Sequence, residues 1–387
     1  MRIYLDHNAT TPPDPLVADR MAQALKDVWG NASSVHHFGQ QAKAALDEAR
    51  ASVASLLSAD PSEIVFTAGG TEADNIAIRG AAEAMEASGR KHLITCGIEH
   101  EAVLNTMKSM ARRGWNVTLL PMDATGIVSV DRLRETITDE TALVSIMHAN
   151  NEIGTVQPIA DLAAVAHERG ALFHTDAVQS AGKLPVDVQA LGVDLLSIAA
   201  HKFYGPKGAG ALWIRRGVRM LPVMTGGRQE RNRRAGTENV PVLVGLGVAA
   251  EIARRKIDTE GPRLAALRDR LEAAVLLSVP GTDRNGAAAP RVPNTTNVSV
   301  ERVEAESLLI GLDLAGIAVS SGSACSSGTL EPSHVLKAMG YPHARTLGSI
   351  RFSLGTSNTD ADIDRVIATL PPLVEKLRSL TTAGGRK

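Results

Sequence analysis

The stretch Leu195-Leu196-Ser197-Ile198-Ala199-Ala200-His201-Lys202-Phe203-Tyr204-Gly205-Pro206-Lys207-Gly208 reads as a short apolar strand that runs through small residues and delivers a lysine into a turn bounded by glycine and proline. Lysines are mostly exposed, so a surface side chain is the plain reading of Lys202. The apolar and small residues before it point instead to a partly desolvated amine with a depressed pKa, nucleophilic enough to form a Schiff base.

Upstream of this stretch, strand-like runs at 63–67, 91–95, 116–120, 142–147 and 171–175 alternate with helical patterns at 72–87, 100–113, 131–137 and 159–169, and another strand follows at 209–214. Short buried strands alternating with amphipathic helices predict an α/β fold, a mostly parallel sheet covered by helices on both faces. Before it, Asp14 caps a helix that carries Pro15 at its first position, and a second helix covers 38 to about 58. Beyond Asn239, helices to about 257 and from 262 to 279 lead into a loop at 280–294. Strands near 295–300, 316–320 and 349–354 then alternate with helices near 304–315, 331–339 and 360–379, which predicts a smaller α/β domain. The expected division is 15–257 for the large domain, with 1–14 and 258–387 forming the small one.

The chain has 387 residues, 44% hydrophobic and 21% charged, with a formal net charge of -1. That balance gives no electrostatic reason to expect nucleic acid or an anionic membrane as partner, and 3% aromatics supplies few stacking platforms. No apolar run approaches membrane-spanning length and the amino terminus lacks a signal-peptide core, so the expected location is the cytoplasm. Two cysteines, Cys96 and Cys325, are too few for a disulfide framework and lack metal-site spacing.

Several motifs carry candidate chemistry. Gly69-Gly70-Thr71-Glu72, between a strand and a helix, is either a phosphate cradle at a helix N-terminus or a tight turn. Asp176 ends a strand and faces the crevice of an open α/β sheet, where it would keep a ring nitrogen protonated; the alternative is a turn aspartate, with Gln179 three residues on. His100 either stacks on a planar ligand or is a solvated first-turn histidine. Arg351 either grips a carboxylate bidentately or is an edge-strand arginine. Cys325 sits in a run of small residues from Ser320 to Gly328, expected to be an exposed, mobile loop with an available thiol, whereas Cys96 at a strand end reads as packing. A Schiff-base lysine, a strand-end aspartate and a phosphate turn together are what pyridoxal phosphate requires.

At these residues the sequence resembles the cysteine desulfurases of the NifS/IscS type, class-V members of the fold type I, aspartate aminotransferase-like pyridoxal phosphate enzymes. The matching stretches run in family order over nearly the whole chain. They are Tyr4–Thr11, Gly70-Thr71-Glu72, Glu99-His100, Asn150-Asn151-Glu152-Ile153-Gly154, His174-Thr175-Asp176-Ala177-Val178-Gln179, His201-Lys202, Arg234-Ala235-Gly236-Thr237-Glu238-Asn239, Ser321-Gly322-Ser323-Ala324-Cys325 and Leu330-Glu331-Pro332-Ser333-His334.

The resemblance implies that Lys202 holds pyridoxal 5'-phosphate covalently, with Asp176 on the ring nitrogen, Gln179 on the ring hydroxyl and His100 stacked on the ring. It implies phosphate binding by Gly70, Thr71 and His201, with Thr237 reaching in from the other subunit of a homodimer. Asn151 and Arg351 would hold the carboxylate of L-cysteine. Cys325, on a loop of about 320–331, would take the sulfur and pass it to an iron-sulfur scaffold or other acceptor, and could ligate a cluster transiently; no resident metal is expected. A selenocysteine lyase or aminotransferase on the same fold is the alternative. Three features depart from the family: Ala199 replaces a frequent hydroxyl at the phosphate, Thr356 replaces a frequent arginine, and the carboxyl tail is short.

Overall fold

The computed structural model describes residues 2–322 and 332–384. Its main sheet has seven strands, in the order Ile64–Thr67, Gly210–Ile214, Leu195–Ala199, Leu172–Asp176, Thr141–Ser145, His92–Cys96 and Asn116–Leu120. Six run parallel; Gly210–Ile214 is antiparallel to both of its neighbours. The exception follows from connection length. Parallel neighbours need a long crossover, and only a short turn separates Leu195–Ala199 from Gly210–Ile214. Lys202 lies in that turn, at the end of a strand whose five residues are all buried.

Two apolar clusters cover the sheet. One includes Val53, Phe173, Phe203 and Leu246, the other Ile78, Val103, Leu143 and Leu212. A third core, built from Ile3, Leu5, Leu271, Val298, Phe352 and Val366, lies apart. It is organised by a three-stranded antiparallel sheet in the order Ser349–Ser353, Thr295–Val300, Thr282–Arg284, with Ile3–Tyr4 pairing in parallel with Ile317–Ala318 nearby. Val335, Leu336 and Met339 pack on the main core, although in sequence they lie between the small-sheet strands Thr295–Val300 and Ser349–Ser353.

Sequence patterning predicts two helices divided between 257 and 262; the structure has one helix of 39 residues, Val240–Ser278, with Pro262 inside it. Asp258, Thr259, Gly261 and Pro262 are poor helix residues, but each end of the helix is held by a different core. Leu246 and Ala250 join the main one; Leu264, Leu267 and Leu271 join the small one. Tertiary burial overrides local propensity there. The predicted loop at 280–294 contains the strand Thr282–Arg284, and the short helices Val188–Leu191 and His343–Leu347 were too brief to show a period. No helix among the described residues is long and apolar enough to cross a membrane.

Candidate active site

A cavity of about 540 Å³ opens at the carboxyl ends of the parallel strands, where open α/β sheets bind ligands. Lys202, His201, Asp176, Gln179, Gly70, Thr71, His100, Asn151 and Arg351 all line it, so the structure brings together nine of the eleven residues expected to form the site. Thr237 is exposed and outside the cavity, on the segment before Val240–Ser278. Cys325 lies outside the described residues.

Lys202 enters on the single turn Ala200–Lys202 and donates hydrogen bonds to the carbonyls of Asn8 at 2.7 Å and Ala9 at 2.9 Å. Burial, then the Arg351 cation, pulls its pKa down to about 8, against the opposing pull of Asp176 and Asp6. The amine is therefore close to half neutral near pH 8. Burial also lowers His201, to about 4, with Lys202, Lys207 and Lys183 adding to the effect. Its ring is neutral, with Nδ1 3.2 Å from the Thr10 hydroxyl.

Asp176 ends the strand Leu172–Asp176 and accepts from the Val178 N–H at 2.8 Å. Burial raises its pKa, opposed by His100, that N–H and Lys202. Behind it on the helix Gly70–Glu86, Asp74 is buried, also pushed up by burial and by Asp176, and its Oδ1 accepts no hydrogen bond, the His174 Nε2 standing 3.7 Å away.

The same helix begins without a side-chain cap at Gly69, which leaves its first N–H groups available to an anion. Gly70 has no room for a side chain; a Cβ there would stand 2.8 Å from Val178 Cγ2 and 3.6 Å from the Ala199 methyl. His100 caps the helix Glu101–Arg112, Nδ1 accepting from the Ala102 N–H at 3.1 Å, so it is a helix-start histidine that also lines the cavity.

Arg351 sits on the strand Ser349–Ser353 of the small sheet. Its guanidinium bonds Asp6 Oδ1 at 2.6 Å and the Asn151 carbonyl at 2.9 Å, while Nε has no partner. Asn151 Oδ1 is likewise buried and unpaired. Thr356 is elsewhere; its N–H donates to the Tyr204 hydroxyl and its carbonyl accepts from Arg263.

Sequence reasoning did not single out Asn8, Asp6, Lys183, Asp74 or Glu152. Asn8 is a hub whose side chain joins the Asn151 carbonyl, Thr295, Asn294 and Lys183, while its carbonyl holds Lys202 and Gln179. Glu152 touches both segments flanking 323–331: its Oε2 accepts from Ser333 at 2.5 Å, and a Cβ on Gly322 would stand 2.8 Å from it. Asn8, Asp6 and Glu152 stood inside motifs already quoted; Lys183 was marked only by following Gln179 at four residues. Cys96 packs as expected, buried, its thiol donating to Glu99 and pushed up by burial.

Unpaired buried polar atoms on Asp74, Asn151 and Arg351, an uncapped helix start with a side-chain-free glycine, and a desolvated lysine fit a planar, phosphate-bearing aldehyde cofactor with a basic ring. Residues 3–366 match the aminotransferase class-V family. Over 379 residues, covering 98% of this chain and 94% of the relative, the sequence is 51% identical to a cysteine desulfurase of Trichormus azollae. The chain belongs to the cysteine desulfurases of the class-V aminotransferase family. That family depends on pyridoxal phosphate. Among solved structures, a NifS-like protein is 36% identical with a TM-score of 0.88, covering 99% of this chain and 100% of its own. Another, described as SspA in complex with cysteine, is 37% identical with a TM-score of 0.81, covering 92% and 99%. The expected fold class is the observed one.

Proposed function

We propose that this cysteine desulfurase converts L-cysteine to L-alanine, using pyridoxal 5'-phosphate held by Lys202 and placing the sulfur on Cys325. The observation that carries the reading is the meeting, in one cavity, of an amine depressed to about 8, the Asp176 carboxylate and the uncapped helix start at Gly70. When bound, the cofactor supplies an electron sink that weakens the bonds around the substrate Cα.

The chain's own groups do the rest. Gly70 and Thr71 N–H groups and the neutral His201 ring hold the phosphate. Asp176 keeps the ring nitrogen protonated, Gln179 meets the ring hydroxyl, and His100 covers a ring face. Asn151 and Arg351 orient the substrate carboxylate. Lys202, with an amine depressed toward neutrality, would take the Cα proton and return one to the product side. The Cys325 thiolate attacks the substrate sulfur; the S–S bond forms as Cβ–S breaks, the electron pair leaves on carbon, and protonation there completes alanine. The persulfide then passes to an iron-sulfur scaffold or other acceptor thiol.

The working form is a cytoplasmic homodimer, with Thr237 reaching the phosphate of the other subunit's site. Residues 15–257 form the cofactor domain, and 1–14 with 258–387 the domain that carries the cysteine loop. The test is alanine formation from cysteine. Cys325→Ala is expected to lose it while keeping the visible absorption of the lysine-bound cofactor; full sulfide release by that variant would favour a lyase.

A further inference from the structure

Lys183 has no part in the steps above, yet it is one of two lysines that hold Asn8. Its stem is partly exposed and its amino group is enclosed. The amine donates to Gln179 Oε1 at 2.7 Å and to Asn8 Oδ1 at 3.1 Å. Burial, then the Lys202 and Arg351 cations, depresses its pKa well below the ordinary lysine value. The rings of His7 and His201 are its other titratable neighbours, each held down by burial to about 4. Two of the amine's hydrogens are used by these contacts.

The consequence falls on Gln179. An amide can sit in its slot in two orientations that differ only by exchange of oxygen and nitrogen. Lysine offers hydrogens and a carbonyl offers lone pairs, so the two contacts choose between them. Oε1 must face Lys183, and Nε2 must face the Asn8 carbonyl, 2.9 Å away. The Asn8 carbonyl also accepts from the free Lys202 amine at 2.7 Å. With Oε1 occupied by Lys183 and one Nε2 hydrogen on Asn8, the second Nε2 hydrogen remains for the cavity that Gln179 lines.

We propose that Lys183 is a positioning residue: by occupying Gln179 Oε1 it makes the amide present an N–H donor, and not its carbonyl, to the ring oxygen of the cofactor. This rests on the reading that Gln179 faces that oxygen. A donor there stabilises the oxygen as an anion and competes with the proton on the adjoining Lys202 nitrogen, so it lowers the pH at which the lysine-bound cofactor changes colour. Without Lys183 only the Asn8 carbonyl holds the amide, which can then swing its donor away from the anionic oxygen or turn its carbonyl toward it, and that pH rises.

The experiment titrates the visible absorption of the pyridoxal-phosphate-loaded wild type, Gln179→Leu, Lys183→Met and the double variant. Gln179→Leu is expected to raise the midpoint by about one pH unit, Lys183→Met to reproduce most of that shift, and the double variant to show no more than Gln179→Leu alone. Additive shifts would mean that Lys183 acts through its own charge and would overturn the proposal. A wild-type midpoint in Lys183→Met beside a shifted Gln179→Leu would overturn it and leave the Gln179 reading standing. An unshifted Gln179→Leu would overturn that reading and the proposal with it. If Lys183→Met is not recovered folded, Lys183→Ala takes its place under the same outcomes.

Discussion

Asp176 and Lys202 reach the cavity from neighbouring parallel strands, Asp176 fixed by the Val178 N–H and Lys202 by the carbonyls of Asn8 and Ala9, whereas Arg351 arrives from a separate antiparallel sheet and is held by Asp6 and the Asn151 carbonyl. The floor of the site is thus set by one sheet, and its rim by how a second body sits on the first. Asn8 is the joint, since its side chain spans Asn151, Lys183, Asn294 and Thr295. The difference teaches where each kind of substitution should be felt. Floor changes should act on chemistry and on the cofactor, rim changes on recognition of the substrate.

The strongest challenge to that contrast is Lys202→Ala. It should lower kcat by at least about 10³-fold and abolish the lysine-bound absorption, because proton transfer and covalent attachment are lost together. Retention of the absorption would move the cofactor's anchor elsewhere. Arg351→Ala comes next: losing one partner of a largely buried charge set should reduce kcat/KM for cysteine about 10²-fold, mostly through KM. A pure kcat effect would erase the distinction between floor and rim.

A third test needs no turnover. Lys202 has its folded pKa depressed to about 8 from the ordinary lysine 10.5, so the unfolded chain binds more protons between those values. Stability of the cofactor-free protein should therefore rise as pH climbs from about 8 to 10.5, by on the order of 3 kcal/mol from this group, with the full penalty present below pH 8. Urea unfolding of wild type against Lys202→Met should show a steeper rise in the wild type, the contribution of the buried Lys183 being common to both; equal slopes would place the Lys202 amine in water. The smallest effect belongs to Ala199→Ser. A hydroxyl restored beside Gly70 should slow cofactor loss by about fivefold, roughly 1 kcal/mol, in a dilution assay, and leave KM for cysteine unchanged.

The floor was the legible part of the molecule. A strand followed by Gly69-Gly70-Thr71, a strand ending in Asp176 and a strand running into Lys202 are local patterns, and chain order alone placed them at one sheet edge. The rim was less so. Arg351 was recognisable as a charge on a strand, but its pairing with Asp6 depends on bringing Ile3–Tyr4 beside Ile317–Ala318, which no window of sequence reveals. Lys183 and Asp74 escaped notice because their roles come from burial next to particular partners, not from residue type. The continuous helix Val240–Ser278 was obscured for a related reason: Gly261 and Pro262 announce a break locally, and two separate cores, visible only in three dimensions, hold the helix through it.

The central claim is that sulfur leaves cysteine on a lysine-anchored floor and is received by Cys325. A single turnover with one equivalent of L-cysteine, followed by intact-peptide mass analysis and alanine quantification, tests it directly. The account predicts one alanine per site and one added sulfur on the peptide containing Cys325, with neither in Lys202→Ala. Alanine released with free sulfide, and no added sulfur on Cys325, would contradict it.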